Sequence, residues 1–241
     1  MLIQRMPSAN CLFMENGKVN EFNPEFFSAF HNVLDELELE AAPLILGSRK
    51  KAFSAGLDLI RLLRFEREAL AAFIKEMDHL LLRLLRYPAP VVAAVEGPAL
   101  AGGAILALSA DLTLARPDAR MGLTETAVGL PFPAVAEAIA TLNLAPQRIR
   151  EILVLGHSYT GEELLHTGFA ARLHPDPVQA ALAIHWPEKL SALAIKQDLA
   201  ENIEERARHK AHLDAEFIEH WFSPEGQKAL TATVQRIQKK S

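Results

Sequence analysis

Short apolar runs separated by helix-length segments constrain this chain more than any other feature of its sequence. Runs near Cys11 to Met14, Leu44 to Leu46, Val91 to Val95 and Leu112 to Ala115 have the length of strands, and Gly, Asn or Pro punctuation closes them. The stretch opened by Asn23 and Pro24 carries an N-cap and first-turn signal and puts Phe26, Phe30, Val33 and Leu37 on one helical face. A second helix is expected from about Glu66 to Tyr87, striped by Leu70, Ile74, Met77, Leu81 and Leu84 and ended by Pro88 and Pro90. Strands alternating with helices imply a layered α/β core joined by crossovers.

After roughly Pro175 the strand signals stop and amphipathic helices take over, with Leu213, Phe217 and Trp221 at four-residue spacing. Ser223 and Pro224 open a last helix, and Lys239 and Lys240 suit its negative end. The 241 residues hold one large domain or one domain with an appendage; length alone leaves that open. There is no internal repeat, low-complexity stretch or long linker.

The net charge of -5 argues against a sequence-independent grip on nucleic acid. Cys11 is the single cysteine, which removes an intramolecular disulfide and a thiolate metal cluster and suits a reducing compartment. The start MLIQRMPSAN lacks the pattern of a secretory signal. The longest apolar stretch, Leu100 to Ala110, is too short to span a bilayer. A cytoplasmic, soluble protein is the expectation. The nine histidines show no metal-helix spacing, so no metal is expected.

Two glycine-bearing turns could carry chemistry. In Phe53-Ser54-Ala55-Gly56-Leu57-Asp58-Leu59, Gly56 can take a positive φ and turn the Leu57 amide toward a ligand. In Val95-Glu96-Gly97-Pro98-Ala99-Leu100-Ala101-Gly102-Gly103, the amide of Gly102 would open a helix if Ala104 to Ser109 is helical. Two amides aimed at one point from separate turns would make an oxyanion hole for a thioester oxygen. Each glycine taken alone reads more readily as a tight turn or a packing device. A third segment, Met121-Gly122-Leu123-Thr124-Glu125-Thr126, sets an acid before the apolar, proline-rich Leu130-Pro131-Phe132-Pro133. Apolar surroundings raise a carboxyl's proton affinity toward what a proton shuttle needs, although an isolated Glu is more often solvated surface.

In order and spacing these three motifs, with Tyr159-Thr160-Gly161-Glu162-Glu163 through Gly168, resemble the crotonase, or enoyl-CoA hydratase/isomerase, superfamily from about Val19-Asn20 to about Leu173. The resemblance implies a crotonase-like spiral of ββα units over residues 1–175 holding an acyl-CoA site. It implies a helical C-terminal region over residues 176–241 that closes that site and serves trimerisation. Leu57 and Gly102 fall where the family's oxyanion-hole amides come from, Ala55, Gly56, Leu57, Asp58 and Leu59 where the thioester and CoA are lined, and Thr124 beside the acyl group. Glu125 matches one of the two glutamates that hydratases use, while the other position is Ile105.

A single carboxylate suffices to shift a double bond. An apolar residue at Ile105 and Gly-Leu-x-Glu-Thr around Glu125 are shared with the mitochondrial-type 3,2-enoyl-CoA isomerases. The expectation is therefore an enoyl-CoA isomerase acting in β-oxidation of fatty acids. It would be a homotrimer or dimer of trimers, needing no cofactor beyond the CoA of its substrate. Hydration, a related lyase or hydrolase activity, and a non-catalytic acyl-CoA-binding subunit are the alternatives. Arg236, Lys239 and Lys240 could meet CoA phosphates, with a solvated complement to the helix dipole as the plainer reading.

Overall fold

The computed structural model describes residues 1–186 and 189–239. Strand β1 (Leu2–Arg5) runs antiparallel to β2 (Asn10–Met14), and α1 (Pro24–Glu40) follows. Asn23 caps α1 by accepting a hydrogen bond from the Phe26 amide, with Pro24 in the first turn, as the sequence suggests. Next come β3 (Leu44–Ser48), the short α2 (Leu59–Leu62) and the long α3 (Arg67–Leu85). The middle of the chain forms β4 (Val91–Val95), β5 (Ala99–Leu100), α4 (Gly102–Leu108), β6 (Leu112–Ala115) and β7 (Arg120–Gly122). A single 3₁₀ turn at Thr126–Val128 leads to α5 (Ala134–Asn143), α6 (Ile149–Leu155), β8 (Ser158–Thr160), α7 (Glu163–Thr167) and β9 (Arg172–Leu173). The helical end comprises α8 (Pro177–Leu182), α9 (Lys189–His209), α10 (His212–Phe222) and α11 (Pro224–Gln238).

The larger sheet has the order β1-β2-β3-β4-β6-β9, parallel throughout except for β1. The four strands read from the sequence are four adjacent members of it. Both of its faces are covered, which is why those strands are unbroken apolar runs. Leu12, Met14, Leu44, Leu46, Val91, Ala93 and Val95 point into the main core, while Cys11, Phe13, Ile45, Val92, Ala94 and Leu114 pack beneath α8.

A smaller sheet, β5-β7-β8, is lengthened by parallel bridges between Ser54 and Ala99 and between Phe22 and Leu57. Each turn of chain thus adds one strand to the large sheet and, a few residues later, a short segment to the small one. That repetition makes a spiral. β1, β5, β7, β8 and β9 have no counterpart among the strands read from the sequence, since runs of two to four residues carry too little periodicity to register.

The C-terminal helices lie over the same core. Ala200, Ile203 and Ala207 of α9, Phe217 and Trp221 of α10 and Leu230 of α11 belong to one continuous apolar cluster with α1, α3, α4 and α5. α9 runs along α5, and α11 packs against α2 and the 3₁₀ turn. Among the described residues no helix is long and apolar enough to cross a membrane.

Candidate functional site

The spiral places the three motif segments side by side. Buried Asn20 donates through Nδ2 to Ser48 Oγ and to the carbonyls of Ala52 and Phe53, and Ser54 Oγ donates to the Asn20 carbonyl. These bonds pin the loop after β3 against the segment before α1. Phe22 bonds to the Gly56 carbonyl and the Asp58 amide. In a trans peptide the Leu57 N–H points opposite to the Gly56 carbonyl, hence away from Phe22 and toward the segment around β5.

Gly56 has φ +75°, and a Cβ there would stand 2.8 Å from the Gly102 amide nitrogen. The two turns therefore meet backbone to backbone, at a separation only glycine permits. Gly102 opens α4, so no carbonyl of its own helix reaches its amide. Ala101 holds φ 50° to set that amide's direction, an uncommon conformation for a residue with a Cβ.

A cavity of about 330 Å³ lies over this junction. Ala55, Leu57, Asp58, Leu59, Gly102, Thr124 and Glu125 line it, so every site residue named from the sequence faces it except Gly56. Gly56 stands behind the wall, where it allows the close approach to Gly102.

Glu125 sits between β7 and the 3₁₀ turn, and its carbonyl accepts bonds from the amides of Val128 and Leu130. Its side chain is buried, and Oε2 has no hydrogen-bond partner. Loss of water pushes its pKa up to about 8, against a smaller lowering by its own amide. Ile105, 1% exposed, faces the same cavity from α4.

Two other carboxylates reach the lining. Asp58 is committed to capping α2 through the Arg61 amide at 3.1 Å, and Glu21 is half-buried beside the Val19 amide. Neither is buried with an unpartnered carboxyl oxygen, as Glu125 is.

Several wall residues escaped the sequence reading. Met77 from α3, Ala136 from α5, Phe217 from α10 and Thr233 and Ile237 from α11 complete the enclosure. Their signal was present only as apolar helix faces, which mark core and cavity alike. Arg236 donates to Thr233 Oγ1 at the edge of this wall, Lys239 is exposed, and Lys240 lies outside the described residues.

Elsewhere, His31, Glu76 and His79 bring potential metal ligands within 4.8 Å of one another. Arg83 faces His31 Nδ1 at 3.0 Å, which leaves the proton of the neutral ring on Nε2. Coordination through Nε2, the ring atom that faces Glu76 at 3.7 Å, would need the reverse tautomer.

Comparison with known proteins follows the same lines. The profile of the family described as enoyl-CoA hydratase/isomerase matches residues 10–239. A protein of Thermus thermophilus, provisionally named an enoyl-CoA hydratase, is 34% identical over 161 residues, 65% of this chain and 63% of that one. The match thus spans less than two thirds of that relative. The structure of human mitochondrial delta3-delta2-enoyl-CoA isomerase is similar with a TM-score of 0.90 over 100% of this chain and 98% of its own. At 22% identity that is a likeness of fold. A Mycobacterium tuberculosis protein, called an enoyl-CoA isomerase in one structure and a probable enoyl-CoA hydratase in another, is similar at 25% identity, with a TM-score of 0.80 over 89% of this chain and 96% of its own in the first and 0.82 over 92% and 99% in the second.

Proposed function

The chain belongs to the enoyl-CoA hydratase/isomerase family, and from that premise we propose that it is an isomerase moving the double bond of a 3-enoyl-CoA to the 2-trans position. The observation that carries this reading is the buried Glu125 carboxyl, its Oε2 without a hydrogen-bond partner, facing the cavity that Ile105 lines with a hydrocarbon side chain. As carboxylate, Glu125 takes the proton from C2 of the bound thioester. The electron pair delocalises into a dienolate whose negative charge collects on the thioester oxygen, between the amides of Leu57 and Gly102. Glu125, now the acid, returns the proton to C4, and the double bond rests between C2 and C3. No water enters the balance, and no cofactor is needed beyond the CoA of the substrate.

Hydration is the competing reading, because relatives of the chain carry that name. It requires a second acid-base group to activate water, and the side chain at Ile105 cannot do so. A trimer or a dimer of trimers fits the family premise, and Leu190, Ile195 and Leu199 leave apolar surface on α9 for a subunit contact to cover. The reading also includes a role in fatty acid β-oxidation and a cytoplasmic location.

Incubation with a 3-enoyl-CoA and, separately, a 2-enoyl-CoA, followed by mass, tests the reaction. Bond migration without a gain of water is expected from the first, and hydration alone would overturn the reading. Glu125→Gln should lower turnover by about 10²–10⁴-fold while acyl-CoA affinity changes little. Retained turnover in that variant removes Glu125 from the role.

A further inference from the structure

The cavity changes character from mouth to interior. Ile60 and Ile237 at its edge are 38% and 41% exposed, whereas Met77, Ala136 and Phe217 are between 1% and 4% exposed. These three come from α3, α5 and α10, elements that meet one another within the main core. None offers a hydrogen-bonding group. These three side chains would not replace the water that a polar or charged group lost on arriving there, although Thr233 of α11 lines the same cavity. Phe217 is further braced by Trp221, their ring centroids 5.8 Å apart, and Trp221 is itself fully buried.

Resting on the acyl-CoA reading above, we infer that Met77, Ala136 and Phe217 form the floor of the acyl pocket and set its specificity. The floor admits unbranched aliphatic acyl groups that end inside the protein and rejects long chains, bulky rings and chains with polar ends. Behind Phe217 stands the fully buried Trp221, which closes that side. Met77, unbranched and flexible, is where the floor yields most readily, and Ala136 is where one added side chain shortens the pocket most.

The test measures affinity, so it does not depend on turnover. Saturated acyl-CoAs from butanoyl to hexadecanoyl are titrated into the folded wild-type protein and into Met77→Ala, Ala136→Leu and Phe217→Leu, each checked by near-ultraviolet circular dichroism. In the wild type, affinity should rise about fourfold for each added methylene, equivalent to about 0.8 kcal/mol, and then stop rising at one chain length. Ala136→Leu should move that break to shorter chains and weaken the longest well-bound ligand about tenfold or more, leaving butanoyl-CoA nearly unchanged. Met77→Ala should move it to longer chains, as should Phe217→Leu if the first variant is unstable.

Affinity that climbs without a break to hexadecanoyl-CoA overturns the inference, as does a break that no folded variant moves. A moving break in a protein that fails to isomerise 3-enoyl-CoA would sink the chemistry and leave the floor standing.

Discussion

Glu125 is the residue on which the proposed chemistry and the stability of the fold pull in opposite directions. Its carboxyl is buried without a partner for Oε2, so its folded-state pKa stands near 8 against an ordinary 4.5. Proton abstraction needs the ionised form. In the free enzyme kcat/KM for a 3-enoyl-CoA should therefore rise with pH up to about 8 and level off above it, and a profile flat from weakly acidic to weakly basic pH would contradict the assignment. The same shift means that the folded chain keeps a proton the unfolded chain releases, so this residue's contribution to stability falls as pH climbs through that window. The sequence exposed the setting of this acid, an acidic residue followed by Leu130-Pro131-Phe132-Pro133, because apolar and proline-rich neighbours are local in the chain. It could not expose the missing partner of Oε2, which depends on α4 and α11 arriving from elsewhere.

At the scale of elements, the junction of α3, α5 and α10 holds a second acid with a carboxyl oxygen shut away from water. Asp214 of α10 accepts a bond from the Ala134 amide at 2.8 Å and so caps α5. Asp78 of α3 is half-buried nearby, its Oδ1 shut away from water with no partner, and that desolvation, reinforced by the charge of Asp214, holds its carboxyl well above the usual range. A carboxyl shifted in this direction stabilises least at high pH, since ionising it inside the fold costs more than in the unfolded chain. Asp78→Asn should raise the thermal midpoint at pH 8 by about 2–4 °C, the shift that roughly 1 kcal/mol produces in a chain of this length, with no gain at pH 4. Equal effects at both pH values would show that ionisation is not the cause. The long helices were legible because α1 and α3 sustain a 3.6-residue stripe over 17 and 19 residues, with Phe26, Phe30 and Leu37 buried in α1 and Leu70, Ile74, Met77, Leu81 and Leu84 in α3. Asp78 was not legible. It lies between Met77 and His79 on a helix whose stripe does not include it, and it is half-buried in the fold with one carboxyl oxygen enclosed.

The main core runs through both parts of the molecule, although the sequence changes character near Pro175. Phe217, Trp221 and Leu230 are buried in the same cluster as Phe26 and Leu81, so the helical end completes the spiral's interior. A chain ending at residue 175 should consequently lose cooperative unfolding and near-ultraviolet circular dichroism, and a fragment melting sharply on its own would contradict the shared core. The sequence showed where strands give way to helices but not that both halves bury one another, because burial between segments so far apart leaves no local trace. The cavity inherits that arrangement, since its wall runs from Val19 to Ile237. While the chain is being synthesised from its N-terminus, the glycine turns and Glu125 emerge from the ribosome well before α10 and α11 can cover them. Until those helices dock, the acid is left in water as an ordinary carboxylate, and the raised proton affinity that the proposed chemistry needs arises only with the completed fold.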